Sequence, residues 1–179
     1  MTQTDTDQLA EILARRHRTE LDADADAAIV DVETPTTQLV LFAVGDSLFA
    51  FPGTSILEIL PWARIYPIPG CPPSLEGVLH LRGEIVSVVR LGDLLDRGHA
   101  EPDRKTAILL GQGAGLRSGL HVDRVLDVLE LASTGIQPPP TTLAESLRRL
   151  ATGVFHYRDQ PVILLDLDRL FTDYLRDPS

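Results

Sequence analysis

The chain repeats one short pattern: Gly77-Val78-Leu79-His80-Leu81-Arg82 is followed, at an offset of 76 residues, by Gly153-Val154-Phe155-His156-Tyr157-Arg158. A second pair matches position for position at an offset of 69, Ile56-Leu57-Glu58-Ile59-Leu60 with Val125-Leu126-Asp127-Val128-Leu129. These runs are rich in aliphatic residues, which is typical of β-strands. The repeat predicts two similar halves. The change of offset predicts a net insertion of seven residues in the second half, around the helical patch Leu143–Leu150.

A hairpin pattern precedes the repeated strands in each half. Leu39–Val44 and Leu48–Phe51 flank the turn-forming pair Gly45-Asp46, and Thr106–Leu110 and Gly119–Val122 flank a glycine-rich turn. With one short helix ending each half, this order predicts a mostly β protein of two small β-barrels packed together. Each half alone is small for its own core, so we expect the barrels to bury surface against each other.

The domain boundaries follow from composition. We expect a first lobe over about residues 38–100, a second over about 105–175, and a tail over 176–179, with exchange of strands between the lobes left open. Residues 1–37 hold nine acidic residues and three arginines, and the whole chain has a net charge of −10. This composition predicts a partly disordered acidic extension, with a short helix that Asp7 caps and that Leu9, Ile12 and Leu13 make amphipathic. The extension is either a docking helix on an acidic tether or a frayed end.

The same composition disfavours several classes of protein. Nucleic-acid binding depends on clustered Lys and Arg, whereas this chain has a pI near 4.8. No apolar run approaches the roughly 18 residues of a membrane span, so we expect no direct membrane insertion. The first residues lack the basic and apolar regions of an export signal, and the lone Cys71 suits a reducing cytoplasm.

No motif favours catalysis. The stretch Gly111-Gln112-Gly113-Ala114-Gly115 could suggest a dinucleotide-binding loop, whose pattern is G-x-G-x-x-G before a helix. Here Leu116 stands where that pattern has its third glycine, and another strand follows instead of a helix, so a hairpin turn is the better interpretation. The histidines and Cys71 lack metal-ligand spacing, and no nucleophile elbow is present. We therefore predict a protein that is not an enzyme and needs no cofactor or metal. The enzyme alternative is a hydrolase with His80 or His156 as its base.

Charged residues stand inside the apolar strands of both halves. Period-2 alternation places Ile56, Glu58 and Leu60 on one strand face, and Arg82 follows a strand just before Gly83. The second half repeats this arrangement with Asp127 and Arg158. Our hypothesis is one acid–arginine pair per lobe, Glu58 with Arg82 and Asp127 with Arg158. The alternative is that all four are ordinary surface charges.

An ordered set of segments resembles the CheW-type chemotaxis adaptors over about residues 38–175. The set is Leu39–Asp46, Ile56–Ile59, Pro69-Gly70-Cys71-Pro72, Gly77–Val86, Val122–Val125 and Ile136–Pro140. The resemblance implies a scaffold of two SH3-like five-stranded β-barrels that links methyl-accepting chemoreceptors to a CheA-type histidine kinase. It places the protein in the cytoplasm, associated with receptor arrays at the inner membrane. Ile56 and Glu58 match positions of receptor and kinase contact, and Arg82 matches an arginine associated with array assembly or conformational support.

The chain departs from the family pattern at Ser87 and Arg90, where Pro and Asp are usual, and at His80, where Asn is usual. An acid replaced by Arg90 reverses a charge, and we expect such a reversal to change the choice of partner. The alternative function is therefore a divergent CheW-like protein. It would serve a separate pathway for surface motility, development or gene expression, or would compete with the main adaptor.

Overall fold

The computed structural model describes residues 35–177, which form ten strands and three α-helices. Residues 1–34, which include most of the predicted acidic extension and its helix, and residues 178–179 lie outside the described residues. The elements are β1 (Thr36–Val44), β2 (Ser47–Pro52), β3 (Ile56–Pro61), β4 (Leu75–Leu81), β5 (Glu84–Arg90), α1 (Leu91–Leu94), β6 (Ala107–Gly113), β7 (Leu116–Val122), β8 (Arg124–Ala132), α2 (Glu145–Leu150), β9 (Ala151–Tyr157), β10 (Gln160–Leu165) and α3 (Leu167–Arg176).

The strands form two five-stranded sheets with equivalent topology. One sheet has the order β8-β1-β2-β10-β9 and the other β3-β6-β7-β5-β4. Strands at the same place in the two sheets differ by five in their number, as β8 and β3 do. Each sheet is joined at its edges by an isolated bridge, Gln137 with Val154 in the first and Tyr66 with Val78 in the second. We call the first sheet the terminal barrel and the second the central barrel. The mostly β prediction with two five-stranded units is confirmed.

The lobes expected over about residues 38–100 and 105–175, between which strand exchange was left open, exchange their hairpins. The β1–β2 hairpin of the first half lies between β8 and β10, which belong to the second half. Likewise, the β6–β7 hairpin lies between β3 and β5 of the first half. Each hairpin has thus crossed into the sheet of the other half. Periodicity along the chain predicts the strands but carries no information about which strand each one pairs with.

Three apolar cores follow from this arrangement. Successive residues of a strand point to opposite faces, so β1 directs Leu39 and Leu41 into the terminal barrel and Val40 and Phe42 away from it. The strand β6 does the same in the central barrel, where Ile108 faces inward. The faces directed away from the barrels meet in a shared core. Its buried members include Val40, Phe42, Val44, Phe49, Phe51, Val89, Leu91, Leu109, Leu120 and Val122.

The helices seal the shared core. The short helix α2 falls inside the helical patch predicted at the insertion and buries Leu147 and Leu150 there. The longer helix α3 buries Leu167, Leu170 and Phe171 in the same core. Its first turn is capped by Asp166, whose carboxylate accepts a hydrogen bond from the Arg169 backbone N–H at 3.1 Å.

Splitting the chain between Glu101 and Pro102 tests the crossed hairpins. We expect fragments 1–101 and 102–179 each to lack cooperative unfolding, because each hairpin then loses the strands that flank it. Mixing the fragments should restore the circular dichroism spectrum and a cooperative denaturant transition. A fragment that unfolds cooperatively by itself, with the midpoint of the intact chain, would contradict the crossed pairing.

Candidate protein-interaction surface

The outer side of the central barrel exposes large apolar side chains. Leu57 and Ile59 on β3 and Ile85 on β5 are all exposed, and Ile85 keeps 75% of its surface accessible. Leu57 and Ile59 lie two residues apart on one face of β3, and neighbouring exposed apolar side chains on a soluble protein can mark a binding site. We call Leu57 and Ile59 on β3 the apolar strip.

Leu57 and Ile59 lie on the exposed face of β3, and Leu57 lies at a β-bulge. The register of β3 against β6 shifts between Ile56, which is opposite Gly111, and Glu58, which is opposite Leu110. Burial along β3 alternates as the period-2 pattern predicts, with Ile56, Glu58 and Leu60 less exposed than Leu57 and Ile59. The bulge leaves Leu57 as the extra residue between two paired ones. Ile56 packs against the shared core. The alternation places Leu57 and Ile59 on the face opposite Glu58, but the sequence did not identify that face as the exposed one, because this depends on the neighbouring strands.

The structure brings Glu58 and Arg82 together. The Arg82 guanidinium donates two hydrogen bonds to the Glu58 carboxylate, from Nη1 to Oε2 at 3.0 Å and from Nη2 to Oε1 at 2.6 Å. Arg82 lies at the turn between β4 and β5 with a φ of 50°, followed by Gly83 at 90°. Two successive positive φ values are typical of a tight hairpin turn. The pair thus connects the bulged edge strand β3 to the β4–β5 turn.

The expected pair in the second half does not form. Asp127 accepts a hydrogen bond from the Tyr157 hydroxyl at 2.9 Å, and the Arg158 guanidinium lies 5.0 Å from the centre of the Tyr157 ring. No Arg158–Asp127 ion pair is found in the described part of the chain. Tyr157 directly precedes Arg158 and corresponds to Leu81 in the first half. Its hydroxyl bonds the strand carboxylate, as the guanidinium of Arg82 does in the first half. The hydrogen bond to Asp127 also raises the pKa of the Tyr157 phenol.

Arg90 points into a polar cluster at one end of the central barrel. Its Nε lies 3.8 Å from Oε1 of Glu76, and its Nη1 donates a hydrogen bond to the Pro73 carbonyl. The other Glu76 oxygen lies 2.8 Å from Nδ1 of His121, whose side chain is only 4% exposed. The His121 ring stacks obliquely on Trp62, with ring centres 4.6 Å apart. Sequence reasoning missed Glu76, His121 and Trp62, which lie on separate strands or loops.

The duplicated half shows what Arg90 replaces. At the same offset of 76, Arg90 corresponds to Asp166, the residue that caps α3. Arg90 stands at the N-cap of α1 but makes no capping hydrogen bond, and α1 is only four residues long. The Glu76 position corresponds to Thr152, which carries no charge. The half that has Arg90 in place of an acid thus also has Glu76 to pair with it, and the other half has neither of these two charges.

The remaining candidates form no reactive site. His80 and His156 are exposed on β4 and β9, and Gly111–Gly115 spans the β6–β7 hairpin. Within residues 35–177, no group of three or more His, Cys, Asp or Glu side chains is arranged to hold a metal ion. In the same range, no helix is both long and apolar enough to span a membrane.

A double-barrel fold whose prominent surface feature is an apolar strip beside an ion pair defines a protein-binding module. Comparison with known proteins identifies its family: residues 38–174 match the CheW-like domain model, so the chain belongs to that family. Members are non-catalytic adaptors or scaffolds, which confirms the prediction that the chain is not an enzyme.

Individual relatives agree. The chain is 31% identical to the chemotaxis protein CheW of Rhizobium meliloti (strain 1021), over 79% of this chain and 92% of that protein. It is 30% identical to Protein FrzA of Myxococcus xanthus, over 64% and 72% respectively. The crystal structure of the scaffolding protein TtCheW from Thermoanaerobacter tengcongensis matches with a TM-score of 0.68 at 25% identity, covering 76% of this chain and 88% of that one.

A double-mutant cycle measures the Glu58–Arg82 pair. The Arg82 side chain is 74% exposed and that of Glu58 29%, so solvent screens most of the attraction. We expect a coupling free energy of about 0.2–1 kcal/mol between Glu58→Ala and Arg82→Ala, from denaturant unfolding at low salt, and less at high salt. Additive effects of the two changes at both salt concentrations would show that the contact contributes nothing to stability.

A second cycle tests the exchange of a cap for an ion pair at Arg90. We expect Glu76→Gln to destabilise the wild type, because it removes the ionic partner of Arg90 while keeping an acceptor for His121. In the Arg90→Asp background the same change should stabilise the protein, because it removes repulsion between two carboxylates and leaves Asp free to cap α1, an effect of about 0.5–2 kcal/mol. The measurement is the change in the free energy of unfolding by urea that Glu76→Gln causes in each background. A change of the same sign in both backgrounds would contradict an ionic interaction between Arg90 and Glu76.

Proposed function

We propose that this protein couples methyl-accepting chemoreceptors to a CheA-type histidine kinase, in the cytoplasm and associated with receptor arrays at the inner membrane. Membership of the CheW-like family supports a scaffold role in a chemosensory array. The observation that carries the finer proposal is the apolar strip beside the Glu58–Arg82 pair. A strip of this kind fits one apolar face of a helical receptor segment, as in other helix-in-groove contacts.

Each candidate residue has a distinct part in this proposal. Ile56 packs from β3 into the shared core and so supports the strand beneath the apolar strip. Glu58 and Arg82 largely neutralise each other, which lowers the desolvation cost of covering the strip, and both retain exposed atoms for a polar contact at its edge. Arg90 acts on partner choice through the shape of the barrel end, because its contacts are with Glu76 and Pro73.

Service in a separate chemosensory pathway, or competition with a main adaptor, is the second candidate. The observation that favours it is the replacement of a capping acid by Arg90, which changes the start of α1 relative to the equivalent α3. That one of the matched relatives is named FrzA rather than CheW is consistent with diversity of pathway inside the family. Offering receptors and kinases from each chemosensory gene cluster of the source organism separates the two candidates.

Charged substitutions in the apolar strip test the receptor contact. We expect Leu57→Glu or Ile59→Glu to abolish co-sedimentation with receptor signalling fragments on vesicles, because a buried unpaired carboxylate costs several kcal/mol. Leu175→Glu on α3 is the matched control, since Leu175 is also an exposed leucine. Its co-sedimentation should equal that of the wild type.

The readout is the fraction of protein that pellets with receptor alone and with receptor plus kinase. Circular dichroism melts establish that each variant is folded. Undiminished pelleting of the folded Leu57→Glu and Ile59→Glu variants would remove the apolar strip from the receptor contact. A wild type that pellets with neither preparation would refute the coupling function itself.

A further inference from the structure

The two halves of the chain hold each other through strand pairs that cross between them. Four of the eight strand pairings in the described chain join the first half to the second: β1 with β8, β2 with β10, β3 with β6 and β5 with β7. Side chains add to these pairings, because His121 contacts Glu76 and the hydroxyl of Ser118 contacts that of Ser87. None of these contacts requires that the two halves belong to the same molecule.

The covalent connection between the halves is the linker over residues 96–105, which runs from α1 to β6. All ten of its residues are exposed. Its backbone turns back on itself, with φ values of 55° at Asp96 and 67° at Gly98. A cavity of about 150 Å³ lies between linker residues such as Glu101 and the β1–β2 turn at Gly45. Because the linker buries no side chain, its path can change without disturbing the cores.

The linker is also longer than the gap between the strands that it joins. Both β5 and β6 lie beside β7, where Arg90 at the end of β5 is opposite His121 and Ala107 at the start of β6 is opposite Val122. These two strand ends are therefore about 10 Å apart, which is two strand spacings. Ten extended residues reach about 33 Å. The linker can thus return to its own half, as it does here, or extend to a second copy of the chain.

We propose that two copies of this chain exchange halves, so that the first half of each copy pairs with the second half of the other. Each unit of the exchanged dimer then has both barrels and the shared core, and only the two linkers change conformation. Exchange of identical elements is a low-cost route to a dimer, because the contacts that hold the monomer also hold the dimer. The dimer carries two apolar strips, one on each unit.

Protein concentration decides between the monomer and the exchanged dimer. Within one chain, a linker of this length gives each half an effective concentration of order 1 mM at the other half. A second copy competes only as its own concentration approaches this value, so we expect exchange where chains fold close together. Once formed, the dimer should persist on dilution, because its separation requires four strand pairings to break in each unit.

A disulfide between the halves of two different chains tests the exchange. Ser87 on β5 and Ser118 on β7 have hydroxyl oxygens 3.0 Å apart, close enough for the replacing thiols to form a disulfide. In a Cys71→Ser background, one full-length chain carries Ser87→Cys and the other carries Ser118→Cys. The two chains are mixed, unfolded in urea and refolded under oxidising conditions. Two protein concentrations are used that differ about 100-fold, the higher one near the effective concentration of the halves.

We expect a covalent dimer on non-reducing gels, with a fraction that rises at least tenfold between the two concentrations. The reason is that only exchange brings the substituted positions of two chains together inside one unit. A single chain that carries both Ser87→Cys and Ser118→Cys shows that the geometry permits the disulfide, and at the lower concentration it should give a crosslinked monomer.

The matched control combines Ser87→Cys in one chain with Val78→Cys in the other. Val78 is opposite Ser87 across β4 and β5, but both belong to the first half, so exchange does not bring these positions of two chains together. An equally abundant covalent dimer from the control would show unspecific contact and would overturn the exchange. Absence of the dimer from the test pair at both concentrations, while the doubly substituted chain closes its disulfide, would also overturn it. Neither result bears on the proposed function, because no receptor or kinase enters the experiment.

Discussion

The burial of both faces of the two crossed hairpins is the constraint on which the other features depend. In β1 and β2 one set of side chains fills the terminal barrel, and the alternate set, with Phe42 between Phe49 and Phe51, fills the shared core. The hairpin β6–β7 does the same for the central barrel. Because each hairpin is held between strands of the other half, neither barrel is complete without both halves of the chain.

This constraint leaves the edge strands as the places where side chains can vary. The strands β3 and β8 are edge strands, and each pairs on one side with a buried hairpin. The segment that follows each of them closes its sheet through a single bridge to the opposite edge strand. Each of these strands has a bulge at an exposed leucine, Leu57 on β3 and Leu126 on β8. Exposed apolar residues at these positions do not disturb the cores, because other residues of the same strands, such as Leu60 on β3, face inward. Binding surfaces on this fold can therefore change without loss of the scaffold.

The sequence predicts the repeated strands, the hairpins and the double barrel, since alternation and turn residues are local properties of the chain. It also suggests the Glu58–Arg82 contact, because the acid and the arginine recur at matching places in both halves. The crossing of the hairpins, the bulge at Leu57 and the capture of Asp127 by Tyr157 could not be predicted in this way. Each depends on which strand lies alongside, and Tyr157 and Leu81 occupy equivalent positions in the same apolar pattern.

Arg90 and Arg158 illustrate how one duplicated framework acquires different chemistry. In each case an equivalent position keeps the arrangement that the fold favours: Asp166 caps a ten-residue helix, and Arg82 pairs with the acid of its edge strand. At Arg90 the lost cap is accompanied by a four-residue helix and by a new ionic partner, Glu76, so the change is absorbed inside the barrel. At Arg158 the acid is bound elsewhere and the guanidinium remains at the surface. The change at Arg90 is thus taken up inside the barrel by Glu76, whereas the guanidinium of Arg158 lies over the Tyr157 ring at the surface.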